Sequence, residues 1–385
     1  MTVTAGSGWG LTLPLGELRR GKLRFGLLTA AVGLLVFLVL FQQTLASALL
    51  GYFTGALEHQ SGAVLVYGED ARRNVEGSIV PPSAVEQVAA VRGVARAAPI
   101  GEGTFTVRTE AGLRDAVLFG FEPGGPGTPT TLSAGRLPRA EGEAVASAVD
   151  AEDGFGLGRR VVVVPGGTVF TIVGLAEDIR FSVLPTLFVP YGGYVRAALA
   201  SNPDARGVLP SLVAVEPEPG QAPEVLAARI TRSVEGVEAL DRETAVASLP
   251  GVAQVRTSFG IVLGLGFIVV ALVVGFFFLI ITVQKADALA LLRAVGSDAW
   301  FLVRGLALQV ILVVGLGVAL AGILLFGVAA ASDASFPISA DPGLLAGTGG
   351  AVLALALVAS LASVRRILRI DPMSATSRSG AGGLA

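Results

Sequence analysis

The chain has 385 residues, 52% of them hydrophobic and only 15% charged, with a mean hydropathy of +0.72. Soluble domains carry about 25% charged residues, so the deficit points to a membrane protein. A formal net charge of −2 gives no reason to expect nucleic acid as a partner, and the absence of cysteine excludes disulfides, zinc–thiolate centres and cysteine nucleophiles.

In chain order, a basic segment (1–24, with Arg19, Arg20, Lys22 and Arg24) precedes a charge-free run over 25–50. That run is far longer than the 7–15 residues of a signal-peptide core. At about 1.5 Å per residue it exceeds a hydrocarbon core of about 30 Å, so it reads as a first, retained span.

Residues 51–256 are long enough for a core of their own. Short β-rich runs alternate there with helical patches, which predicts an α/β domain. A strand is expected over 63–67, followed by a helix over 83–91 that Pro81 and Pro82 introduce. The pattern recurs as a strand at 211–216 and a helix at 222–234. Each helix is followed by a matching phrase, Arg92-Gly93-Val94 and Glu235-Gly236-Val237, which predicts a duplicated β–helix–β half. Between the copies, 124–190 reads as an inserted all-β lobe. Its clearest signal is a hairpin in which Pro165-Gly166-Gly167 joins 160–164 (RVVVV) to 168–175 (TVFTIVGL).

Three further spans follow, at 257–284, 305–332 and 343–364; the last is rich in Gly and Ala and is expected to pack closely on a neighbour. Basic residues flank the first span on its N-terminal side. They also occupy the 285–304 connection (Lys285, Arg293, Arg304) and follow the fourth span (Arg365, Arg366, Arg369), whereas 333–342 has Asp333 and Asp341 and no base. By the positive-inside rule both termini, including the 365–385 tail, and the 285–304 connection are cytoplasmic. The 51–256 domain and the 333–342 loop then lie outside. The expected location is a cell (inner or plasma) membrane, crossed four times.

Little in the chain carries chemistry. There is no phosphate-binding G-x-x-x-x-G-K-[ST] loop and no H-E-x-x-H, and His59 is the only histidine. His59 reads as a solvated juxtamembrane residue rather than a ligand or base. The acidic pairs Glu69/Asp70 and Glu152/Asp153 sit among turn residues and read as solvated loops. The spans lack the charged residues of an ion or proton relay, and their Gln42, Gln43 and Gln309 read as interfacial groups or interhelical hydrogen bonds. No catalytic, cofactor or metal residue is therefore assigned. If the protein transports, its energy comes from elsewhere.

The most informative stretch is 284–304 (QKADALALLRAVGSDAWFLVR). It places Leu289, Leu292 and Val295 on one helical stripe and breaks at Gly296-Ser297. A short amphipathic helix on the cytoplasmic side is either a membrane-surface element or a knob for a partner's groove, and periodicity leaves both open. The continuation LALLRAVGSDAWFLVRGLALQVILVVGLGVALAG resembles the MacB/FtsX-type permeases of ABC transporters, in which an L-L-R-A-hydrophobic-G helix joins the second and third spans. Residues 363–375 (SVRRILRIDPMSA) resemble that family's closing R-R-x-x-R-[ILV]-D-P-x-x-A signature. Val161–Val164 with Phe170-Thr171-Ile172-Val173-Gly174 resemble its paired strands, and the order of one span, a large domain and three spans is the same. One departure is Ala288, with Asp287 beside it, where many members carry an acidic residue.

The resemblance implies a permease subunit with a porter-like outer domain and no bound cofactor, ATP being held by a cytoplasmic ABC ATPase subunit. Leu289, Leu292, Arg293, Val295 and Gly296 would form the helix that couples to that subunit. A second permease copy, as a homodimer, and membrane lipid are the other implied partners. Nucleotide-driven motion of the outer domain, called mechanotransmission, would export an amphiphile or extract it from the outer leaflet. An FtsX-like regulator of a cell-wall hydrolase, or a transporter working with a periplasmic adaptor, shares the fold. A membrane receptor or scaffold without an ATPase would leave the 285–304 helix unexplained.

Overall fold

A computed structural model describes residues 22–284, 299–331 and 342–368. The chain divides into two units, one helical and one built on residues 46–258, and the boundaries at Leu45/Ala46 and Ser258/Phe259 fall inside helices.

In the helical unit, α1 (Lys22–Glu58) contributes its first half. The charge-free run explains why it forms, since in hydrocarbon every backbone amide must be bonded within its own segment. Small residues set how its neighbours approach. A Cβ at Gly33 would lie 2.8 Å from Leu320 and 3.1 Å from the Gly317 carbonyl, so α1 meets a later helix backbone to backbone there. That helix and the last one span Ala299–Ala331 and Pro342–Leu368. They pack together at Gly349, where a Cβ would lie 2.8 Å from Val318. The Gly- and Ala-rich final span thus packs on a neighbour, as its composition predicts.

The large domain begins where α1 ends, with β1 (Val64–Gly68) and α2 (Pro82–Ala89), which Pro82 opens at its first turn. There follow β2 (Val94–Thr109), β3 (Gly112–Phe121), β4 (Leu132–Gly135), β5 (Glu143–Ser147), β6 (Arg160–Val164), β7 (Val169–Ala176) and β8 (Thr186–Pro190). Next come α3 (Tyr191–Ser201), β9 (Leu212–Pro217), α4 (Pro223–Ser233), β10 (Val237–Asp241) and α5 (Arg242–Ala247). The spans after it are α6 (Val252–Gln284), α7 (Ala299–Ala331) and α8 (Pro342–Leu368).

The two β–helix–β copies interleave in the order β10–β1–β9–β2, all antiparallel. This is the split β-α-β arrangement of ferredoxin-like folds. Alternation along the strands explains its two faces. Val64, Val66, Val213 and Val215 pack against α2 and α4 through Val88, Leu226 and Ile230. Leu65, Tyr67, Leu212 and Ala214 face the opposite side, where Ala56 and Leu57 of α1 and Val252 of α6 join the core.

β2 is shared. After Ile100 it leaves β9 and pairs instead with β3 and β6. Pairing then runs β2–β3–β8–β5–β7–β6 and returns to β2, so the second sheet closes on itself, with β4 appended to β7. Closure removes the exposed edges of an open sheet. The uninterrupted apolar run of β8 follows from burial on both faces: Leu187 and Val189 point into the ring, Phe188 into the outer core. There Phe188 and Phe181 lie 5.4 and 5.3 Å from Phe119. Burying each such ring contributes on the order of 2–3 kcal/mol.

The lobe expected at 124–190 differs in two respects. It takes in residues before 124, because β2 and β3 complete the ring, and residues after 190, because α3 lies against it through Tyr194 and Ala197. The hairpin at Pro165-Gly166-Gly167 forms as expected.

Candidate functional site

The coupling-helix residues Leu289, Leu292, Arg293, Val295 and Gly296 lie outside the described residues, as do the 333–341 loop and the closing signature beyond 368. Among the polar residues of the spans, Gln43 accepts a hydrogen bond from Thr348 of α8 at 2.7 Å, an interhelical contact of the predicted kind. Gln309 behaves differently. It is 3% exposed, and its side-chain nitrogen has no partner among the described residues. His59 is half-buried just beyond the end of α1, and its carbonyl accepts from the Thr130 amide and hydroxyl. Glu69 and Asp70 form an exposed turn, and Asp153 pairs with Arg114 at 2.9 Å. No group of three or more metal-ligating side chains occurs among the described residues.

The polar features that the fold does assemble surround the end of α1 and the turn of β2. Asp150, in the short turn after β5, and Arg180, between β7 and β8, form a buried ion pair, 1% and 11% exposed. Arg180 donates Nε–H to Asp150 Oδ2 at 3.1 Å and a second N–H to Oδ1. The guanidinium lies 4.7 Å over the ring of Tyr52 in α1. Beside it the 178–183 segment runs along α1. The Ala56 amide donates to the Arg180 carbonyl (3.2 Å), the Val183 amide to the Tyr52 carbonyl (3.0 Å) and the Ser182 amide to the Phe53 carbonyl (3.4 Å).

At the turn of β2, Gly101 and Gly103 flank Glu102, which is 7% exposed. A Cβ on Gly101 would clash with the Tyr194 ring, so only glycine admits that ring. Tyr194 donates its hydroxyl to the Glu102 carbonyl (2.7 Å), and Ser211 receives the Glu102 amide (3.0 Å). The carboxyl oxygen Oε1 has no partner among the described residues. Burial, with a contribution from Glu76, pushes Glu102 up to about 7.

Both clusters escape a linear reading because their partners are far apart in the chain: Arg180 is 30 residues from Asp150, and Glu102 is 92 from Tyr194 and 109 from Ser211. The only local signals were a glycine, Gly55, near the end of a long apolar helix and an isolated Arg180 between strands.

Together these features define a class: a multi-pass membrane protein with an α/β domain between its first and second spans, whose buried polar groups among the described residues lie at joints between elements. The model of the MacB-like periplasmic core domain matches residues 25–233, more than half of the chain, and that of the FtsX-like permease C-terminal region matches 260–372; the chain belongs to the MacB/FtsX-type ABC transporter permeases. Two proteins of Mycobacterium tuberculosis described as uncharacterized ABC transporter permeases are each 29% identical. One aligns over 290 residues, covering 74% of this chain and 76% of the relative, and the other over 304 residues, covering 78% and 80%. A putative hemin transport system permease protein, HrtB of Staphylococcus epidermidis, is 22% identical over 142 residues, covering 37% of this chain and 41% of its own. Among solved structures, the periplasmic region of MacB from Actinobacillus actinomycetemcomitans superposes with a TM-score of 0.35 at 12% identity, covering 48% of this chain and 92% of that one. The extracellular domain of the ABC-type transporter YknZ from Gram-positive bacteria gives 0.33 at 17% identity, covering 46% and 99%.

Proposed function

We propose that this permease subunit couples ATP hydrolysis by a separate cytoplasmic ABC subunit to movement of its large domain on the outer side of the membrane. The work done is export of an amphiphile, or its extraction from the outer leaflet. The observation that carries this reading is the continuity of two spans with the domain core. α1 runs unbroken from Lys22 to Glu58 and places Ala56 and Leu57 in that core, and α6 begins inside it at Val252. A tilt of either helix is then delivered to packed residues rather than to a flexible linker, because a close-packed interior transmits displacement. The spans need no hydrophilic pathway for such a mechanism, and those described carry none of the charged relays that ion-coupled carriers use. A hemin permease among the weaker relatives is consistent with an amphiphilic cargo.

ATP would be bound by the partner, with Leu289, Leu292, Arg293, Val295 and Gly296 forming the docking helix, and a second copy of this chain would complete a homodimer. The test is purification from the native membrane in mild detergent, followed by ATPase assay. An ABC subunit near one-to-one with the permease, with hydrolysis that falls to the level of the free ATPase in Leu292→Asp, is expected. Purification without an ATPase, or unchanged stimulation by Leu292→Asp, overturns the reading.

A further inference from the structure

We infer that the 178–183 segment is a rigid clasp that makes the end of α1 and the β ring of the large domain move as one body; its mechanical use rests on the proposed function, but its existence does not.

Four observations converge on the clasp. First, Gly55 of α1 admits it. A Cβ there would clash with the Asp178 carbonyl and lie 2.9 Å from the Arg180 carbonyl, so the two backbones are closer than any side chain allows. The obstacle is backbone, which cannot turn aside as a flexible side chain would. Second, three amide–carbonyl bonds join Tyr52, Phe53 and Ala56 to residues 180–183, on top of whatever the helix satisfies within itself.

Third, the segment is strained. Asp178, Ser182 and Val183 sit at φ of 55°, 50° and 64°. Aspartate tolerates that region, but a β-branched valine there is a true outlier. Such a conformation persists only where its surroundings over-determine it. Fourth, those surroundings are visible. The buried Asp150–Arg180 pair anchors the middle of the segment to the turn after β5, and the guanidinium rests on Tyr52. Phe181 packs on Phe119 of β3, and its amide donates to Thr186 of β8 at 2.9 Å. One short segment is thus tied to α1 on one side and to β3, the turn after β5 and β8 on the other.

A buried ion pair contributes little net stability compared with an apolar substitute, but it fixes geometry, because either partner alone is an uncompensated charge. That is the property a joint requires. The clasp gives α1 a second attachment besides its covalent continuation into β1. It reaches the ring, which the chain itself enters only after passing through β1 and α2.

The experiment uses the full chain in lipid nanodiscs, with spin labels on Ser47→Cys in α1 and Leu113→Cys at the β2–β3 hairpin of one copy, the labelled chain being diluted with an excess of unlabelled cysteine-free chain so that only the distance within a copy is read. Both positions are exposed, and the chain has no native cysteine to compete for label. A rigid clasp gives one narrow distance distribution, unchanged when ATP is added to the complex with the co-purified ATPase. Gly55→Ala, which forces the segment off the helix, should lose the single peak. Should that variant not fold, Tyr52→Leu, which removes the ring beneath the guanidinium, should show the same broadening. A variant distribution as narrow as the parent's overturns the clasp. So does a parent distribution that is broad, or that splits on adding ATP. If no ATPase co-purifies, the proposed function fails, yet the distances without nucleotide still decide the clasp.

Discussion

Glu102 shows how a single buried group makes this domain sensitive to pH. Its ordinary value is 4.5, and burial holds it near 7 in the folded domain. Between those values the folded state keeps a proton that the unfolded chain has released. The stabilisation is therefore fully present below about pH 4.5 and is lost as pH rises through 7, by up to about 3 kcal/mol. Glu102→Gln keeps the shape and has no proton to lose. We expect unfolding of the domain to occur at lower denaturant at pH 8 than at pH 5 in the parent, and this difference to shrink in the variant. In a Trp9→Phe, Trp300→Phe background near-ultraviolet circular dichroism follows that transition, because all four tyrosines (Tyr52, Tyr67, Tyr191 and Tyr194) lie in the large domain and both tryptophans outside it. Equal pH dependence in parent and variant would remove Glu102 as its source.

At the scale of elements, the duplicated β–helix–β unit rests on one backbone feature used twice. Gly93 and Gly236 each lead from a helix into a strand at positive φ, +99° and +77°, a region that a Cβ disfavours by about 1–2 kcal/mol. Their surroundings differ. A Cβ at Gly236 meets nothing, whereas at Gly93 it would lie 2.8 Å from Arg229, whose guanidinium donates to the Arg92 carbonyl. Gly236→Ala should therefore destabilise by the backbone term alone, about 1 kcal/mol, and Gly93→Ala by about 2 because the Arg229 bond must also yield. Equilibrium denaturation of the two variants side by side checks the order. Equal losses would mean that Arg229 moves freely and contributes nothing.

For the molecule as a whole, the large domain is expected outside the cell and the 285–304 connection inside. A cysteine at Leu113, exposed at the β2–β3 hairpin, should react with a membrane-impermeant maleimide in intact cells, and one at Ser297 only after lysis. The reverse pattern would invert the topology and place the coupling helix out of reach of any cytoplasmic ATPase. Coupling itself is a property of this scale: Leu292→Asp should abolish stimulation of the partner's hydrolysis while leaving membrane insertion and the unfolding of the large domain unchanged.

Features that depend on near neighbours in the chain were legible from the residues alone. Four charge-free runs long enough for hydrocarbon dictate four helices, since a backbone in lipid has no other way to bond its amides. The strand at β1, the Pro-opened α2 and α4 and the β6–β7 hairpin follow from period and turn chemistry, and the two Gly-Val phrases exposed the duplication. Tertiary structure alone decided how those pieces meet. The interleaving of the two copies, the sharing of β2 between sheets and the closing of the ring through β6 are pairings between strands far apart in sequence, for which alternation specifies a face but not a partner. The same holds for Gly55, Asp150 and Arg180. Each looks ordinary in its own segment, and their joint role arises from a backbone contact and a buried charge pair that exist only once α1 and the ring are packed together.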